Sequence, residues 1–189
     1  MRKALYLMGN LEDVDIEWMA DHGVQQLIAP GTVLIQEGEA IDSIYILLDG
    51  ALSVRTVAME GEEIASLFSG EIVGEISFVD SHPPSASVIA VQDSHVLGVS
   101  RQMLTDKLAT DKAFAARFYR ALAVFLADRL RGTVGRLGYG SNQQDADPDQ
   151  LDDSSMDEIS LAALRFDDLL RRMATPLAVA GDRSAGKVA

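Results

Sequence analysis

Residues 70 to 88 read GEIVGEISFVDSHPPSASV. Two glycines bracket a short acidic turn, and Gly74-Glu75-Ile76-Ser77-Phe78 then enters an apolar segment too compact to be a strand with ordinary turns. The stretch is therefore predicted to be a loop holding one helical turn. A turn entered through glycine leaves its first backbone N–H groups aimed forward, which makes a cradle for an anion or another ligand. Upstream of this loop the pattern is that of strands, and downstream of Val99 it is that of helices.

Working upstream, TVLIQ, SIYILLDG, ALSVRTV and EIASLF carry sheet-like apolar residues, with Gly38, Gly50 and Gly61 marking turns between them. Downstream, SASVIAVQ and SHVLGVS continue the pattern. Short strands about ten residues apart with turn chemistry between them predict a mainly β fold, a barrel or jelly roll. Before the strands, residues 11 to 28 carry Leu11, Val14, Trp18 and Met19 at helical spacing, in a short amphipathic helix predicted to stop near Gly23.

After Ser100 a short helix starts, and Asp111 is placed to cap a long one running to about Arg131, with Phe114, Phe118, Ala121, Leu122, Phe125, Leu126 and Leu130 on its apolar side. Gly132, Gly135 and Gly138 are expected to weaken and end it. A helix with three phenylalanines must cover a sheet, pair with its copy in a second subunit, or do both; homodimerisation through residues 111–131 is the expectation. Residues 139–158 hold seven acids and no basic residue, the mark of a solvated, disordered linker. Ser155 and Glu158 form a capping box for an amphipathic helix over 159–175, and 176–189 is read as a flexible tail. The first unit then spans 1–138.

Composition narrows the function. The chain has 189 residues, no cysteine and a net charge of −13. Thiolate metal sites, disulfides and cysteine nucleophiles are excluded. His22, His82 and His95 lie far apart without metal-ligand spacing, so no metal site is predicted. Of the 16 basic residues, 13 lie at or after Arg101, and Arg55 is the single one between Ala4 and Ser100. This acidity argues against nucleic acid as a direct partner. No long apolar run or signal peptide is read, which predicts a cytoplasmic protein with no membrane partner. No serine elbow with paired histidine and aspartate and no phosphate loop with lysine is present, so no catalytic residue and no enzyme activity are predicted. A cupin-type metal enzyme would share the jelly roll but needs clustered histidines, and the strands offer His95 alone.

Pro30-Gly31, Glu37-Gly38-Glu39, Asp42, Tyr45, Gly50, Gly70, Gly74-Glu75 and Ser85-Ala86-Ser87-Val88 occur in an order that resembles the cyclic-nucleotide-binding domain. That domain is shared by catabolite activator protein-type regulators, cyclic-AMP-dependent kinase regulatory subunits and cyclic-nucleotide-gated channels. The resemblance spans residues 11 to 131. It implies that Gly74 permits close backbone approach, Glu75 accepts from a ribose 2′-hydroxyl, Ile76 and Ser77 offer N–H groups, and Ser85 and Ala86 complete the phosphate side. The family's phosphate-binding arginine belongs at Pro84, and its loss weakens binding by roughly tenfold to a hundredfold. Arg55 and His82 are the candidate charge substitutes in the barrel, with Arg117, Arg120 or Arg129 of the long helix as further sources. Without the arginine, Glu75 can instead serve the dipole of its own helical turn.

The segment beyond the long helix is too short and too acidic for a helix-turn-helix domain. Two expectations result. In one, the chain is a stand-alone ligand sensor or regulatory adaptor for cyclic AMP, cyclic GMP or another nucleotide-like metabolite, with no resident cofactor. In the other, it is a degenerate scaffold that binds a protein partner through helix 159–173, a helix that can equally fold back on its own barrel.

Overall fold

The computed structural model describes residues 8–136 and 153–173. Gly23 closes helix α1 (Asp13–His22), its N–H donating to Met19 O at 2.8 Å. The next five residues form strand β1 (Val24–Ile28), where the sequence pattern gave no strand. Apolar residues alternate poorly in VQQLI because β1 is an edge strand, paired only with β8 and carrying Leu27 to the surface. Val14, expected on the buried face of α1, is exposed, and Ile16, Met19 and Ala20 face the core instead.

The remaining strands are β2 (Val33–Ile35), β3 (Ser43–Asp49), β4 (Ala51–Arg55), β5 (Glu63–Phe68), β6 (Ile72–Val73), β7 (Ser87–Ala90) and β8 (Ser94–Ser100). They form two antiparallel four-stranded sheets, in the orders β1-β8-β3-β6 and β2-β7-β4-β5. This is the expected jelly roll. The two-residue β6 had no periodicity to reveal it; it pairs with Tyr45 and Ile46 of β3.

Strand β3 explains the layering, because successive side chains point to opposite faces. Leu47 meets Leu52, Leu67, Val88 and Val96 in the core between the sheets, with Tyr45 packed at its edge. Ile44, Ile46 and Leu48 belong to a second core, shared with the helices. At Gly98 of β8 an added Cβ would lie 3.1 Å from the Tyr45 ring, so glycine there lets the ring lie flat across the neighbouring strand.

The helices cover the outer face of the first sheet. They are the cassette helix α2 (Glu75–Asp80), α3 (Arg101–Thr110), α4 (Lys112–Arg136) and α5 (Asp153–Met173). Asp111 caps α4 as expected, its Oδ1 accepting from Phe114 N at 2.9 Å. The helix continues through Gly132 beyond its expected end, since a glycine in an exposed turn costs only about 1 kcal/mol. Phe114, Phe118, Ala121, Leu122 and Phe125 are all buried within the chain. Phe118 meets Phe78 of α2 edge to face at 6.0 Å and stacks on Phe114, which in turn meets Trp18 of α1.

Helix α5 starts at Asp153, six residues before its expected start, so the last residues of the acidic stretch are helical and Ser155 lies inside the helix. It packs against α1 of its own chain. Ala162 and Leu169 are buried, Arg165 Nε donates to Asp13 at 2.7 Å, Arg172 Nη2 donates to Glu17 at 2.7 Å, and Gln25 Nε2 donates to Met173 O. The expected linker up to Asp152 and the tail 176–189 lie outside the described residues.

Candidate functional site

The cassette helix is built on Gly74, whose φ of +85° is open to glycine and strained for other residues. An added Cβ at Gly74 would lie 2.8 Å from Ile41 Cδ1 and 3.3 Å from Ser43 O. The helix's first closed turn is the bond from Phe78 N to Gly74 O at 3.0 Å, which leaves the amides of Glu75, Ile76 and Ser77 at the unclosed end. At the other end Ser81 adopts φ +61°, and Arg101 staples the last turn: its Nη1 donates to Ser77 O at 2.7 Å and its Nη2 to Ser81 Oγ at 3.0 Å. A cation at a helix C-terminus also meets the negative end of the dipole. Arg101 also lies over the Phe78 ring, 5.6 Å from its centroid.

The second limb of the cassette is held by the loop after β2. Gly38 N donates to Pro84 O at 2.9 Å, and Glu37 N donates to Ser87 Oγ at 3.0 Å. All seven residues expected in the cassette, Gly74, Glu75, Ile76, Ser77, Pro84, Ser85 and Ala86, line one inner cavity of about 80 Å³. It opens beside a groove of about 480 Å³ between β5, the cassette and the end of α4. Val54, Ile76, Ser85, Ala86 and Arg129 line both.

Neither charge substitute expected from the barrel stands there. Arg55 bonds Ser53 Oγ through Nε at 3.1 Å, on the side of β4 opposite the cavity-lining Val54. His82 is exposed, 3.5 Å from Asp80. Of the long-helix candidates, Arg117 is spent on Asp15 and Glu12 of α1, and Arg120 is exposed. Among the described residues, the cation at the cavity is Arg129. Its Nη1 donates to Glu75 Oε1 at 2.5 Å, and its guanidinium lies over the Phe125 ring, 4.8 Å from the centroid.

Glu75 is 2% exposed. Burial pushes its carboxyl above the ordinary glutamate value, the Arg129 charge opposes that shift, and nearby Glu71 reinforces it. The site is thus a glycine-entered helical turn with a desolvated carboxylate, whose counter-ion arrives from a helix more than fifty positions away in sequence. No local pattern could single out Arg129 from its helical neighbours. The Arg101 staple was missed for the same reason, since its partners lie twenty or more positions upstream. Among the described residues, no group of histidines and acids could hold a metal ion.

Residues 25–111 match the model of the cyclic nucleotide-binding domain. The cyclic AMP receptor protein of Thermus thermophilus is 28% identical over 127 residues, 66% of this chain and 57% of that protein. An uncharacterised NTE family protein of Mycobacterium bovis is 26% identical over 150 residues; the match takes in 77% of this chain but spans only a quarter of that relative's length. Among solved structures, a cyclic nucleotide-binding domain from Methylobacillus flagellatus superposes with a TM-score of 0.65 at 21% identity, covering 76% of this chain and 84% of that one, a likeness of fold. No helix among the described residues is long and apolar enough to cross a membrane.

Proposed function

We propose that the chain is a non-enzymatic regulatory sensor: its barrel takes a nucleotide-like small molecule, cyclic AMP or cyclic GMP, and its helices report occupancy. The single observation that carries this reading is the Glu75–Arg129 pair, which joins the ligand cassette directly to α4. A ligand that engages Glu75 acts on the end of α4, and the Phe78–Phe118–Phe114–Trp18 contacts continue from the cassette to α1, on which α5 rests. A ligand with different affinity for two positions of α4 then shifts their populations.

On this reading the protein is cytoplasmic and dimeric, with the outward side of α4, where Tyr119, Leu130 and Val134 are exposed, as the dimer contact. Partner capture by α5 is the weaker reading, because its Ala162 and Leu169 are already buried in cis. Calorimetric titration with cyclic AMP and cyclic GMP, read together with thermal shift, tests the sensor. Saturable heat and a raised Tm are expected. Neither heat nor a shift at millimolar nucleotide would sink it.

A further inference from the structure

Arg129 stands where the inner cavity and the outer groove meet, and this position decides how the site can read charge. Among the described residues lining either space, the ionisable groups are Glu71, Glu75 and Arg129. An anion entering beside two carboxylates is repelled unless a cation turns toward it. The nearby alternatives are held elsewhere: Arg101 on Ser77 O and Ser81, Arg117 on Asp15, Arg55 on Ser53. Pro84, on the cavity wall, contributes neither a charge nor an N–H.

We propose that Arg129 is the specificity-determining residue for the ligand's negative charge, and that it acts by exchange: the phosphate replaces Glu75 as its partner. This rests on the sensor reading and names the residue that reads the ligand's charge. Volume supports it. The inner cavity, about 80 Å³, is too small for a nucleotide, whereas ligand sites run from about 300 Å³ upward. The adjoining groove of about 480 Å³ is large enough, and the Arg129 side chain lies on the wall between them. Re-aiming that side chain joins the two spaces.

Position supports it too. Arg129 lies one helical turn beyond Phe125, the last fully buried side chain among the described residues of α4, and residues 130–134 are exposed. Among the described residues, an added Cβ on Gly132 would have no neighbour within 4 Å, so the space beside that position is open. The exchange trades one charge-assisted contact for another and releases the Glu75 carboxylate, which then accepts a hydrogen bond from a sugar hydroxyl. The ligand class this selects is a nucleoside phosphate monoanion with a free hydroxyl beside the phosphate.

The test is a comparison of the wild-type chain with Arg129→Gln by calorimetry, using cyclic AMP and uncharged adenosine, with circular dichroism to verify folding. Glutamine keeps a donor for Glu75 and removes the charge. The expected result is a loss of about tenfold or more for cyclic AMP with adenosine changed by less than about threefold. Equal losses for both, which a merely structural role for Arg129 would produce, or tighter cyclic AMP binding, as from a removed obstruction, overturn the proposal and leave the sensor reading standing. Absence of cyclic AMP and cyclic GMP binding by the wild type overturns both. Should Arg129→Gln not fold, Glu75→Gln titrated with 2′-deoxy cyclic AMP decides: without a carboxylate to displace, binding should tighten severalfold, and unchanged or weaker binding rejects the exchange.

Discussion

Asp15 of α1 and Arg117 of α4 form a two-pronged ion pair, with Nε at 2.6 Å and Nη2 at 2.7 Å from the carboxylate oxygens, between residues 102 positions apart. Asp15 is buried and also accepts Glu12 N at 2.9 Å, so a single carboxylate caps its own helix and fixes α1 on α4. Replacing Asp15 with alanine leaves Arg117 without its closest partner and opens the cap. The expected loss is about 2 to 3 kcal/mol, read from the denaturant midpoint at constant slope. A loss below about 0.5 kcal/mol would mean that the helices are joined by apolar packing alone.

The Glu75 carboxyl gives a pH dependence of definite sign. Unfolded, it ionises near 4.5, as an ordinary glutamate does; folded, burial raises that value, so the folded state binds more protons in the window between the two. Stability contributed by this group is therefore complete below about 4.5 and declines as pH rises toward the raised folded value. Denaturation of the wild type and of Glu75→Gln at pH values from about 4 to about 8 should show the stability difference moving in the variant's favour as pH rises. A difference that is flat with pH would mean that Glu75 titrates as an ordinary glutamate.

Pro84 lines the inner cavity, and its carbonyl is held by Gly38 N, a bond that does not depend on the side chain. Pro84→Arg therefore adds a second cation on the cassette side with the backbone anchored. Affinity for cyclic AMP should rise by roughly tenfold to a hundredfold, measured by calorimetry. No gain would show that the cavity has lost more than this one contact.

The docking of α5 rests on buried Ala162 and Leu169 and on the Arg165–Asp13 and Arg172–Glu17 pairs. Exposed ion pairs contribute little, so the apolar contacts dominate. Leu169→Asp places a charge in that interface. The α5 segment should become the first site of limited proteolysis while the barrel resists, and an unchanged digestion pattern would show that Leu169 does not hold the helix.

The jelly roll was legible in the chain before folding was considered, because period-two alternation and glycine turns are local signals. Six strands from Val33 onward and the Asp111 cap of α4 could be read for that reason. The seven residues expected in the cassette share one cavity. Strands β1 and β6 were not legible, one being an irregular edge and the other two residues long, each existing through its pairing with β8 or β3. Folding alone selected the cation that serves the cassette. Arg55, Arg117, Arg120 and Arg129 are alike as sequence, but only the packing of α4 across the sheet and cassette carries Arg129 to Glu75 while Arg117 falls against Asp15. An ion pair needs a few ångströms between charges, and at separations of about fifty or a hundred residues only the folded chain sets that distance.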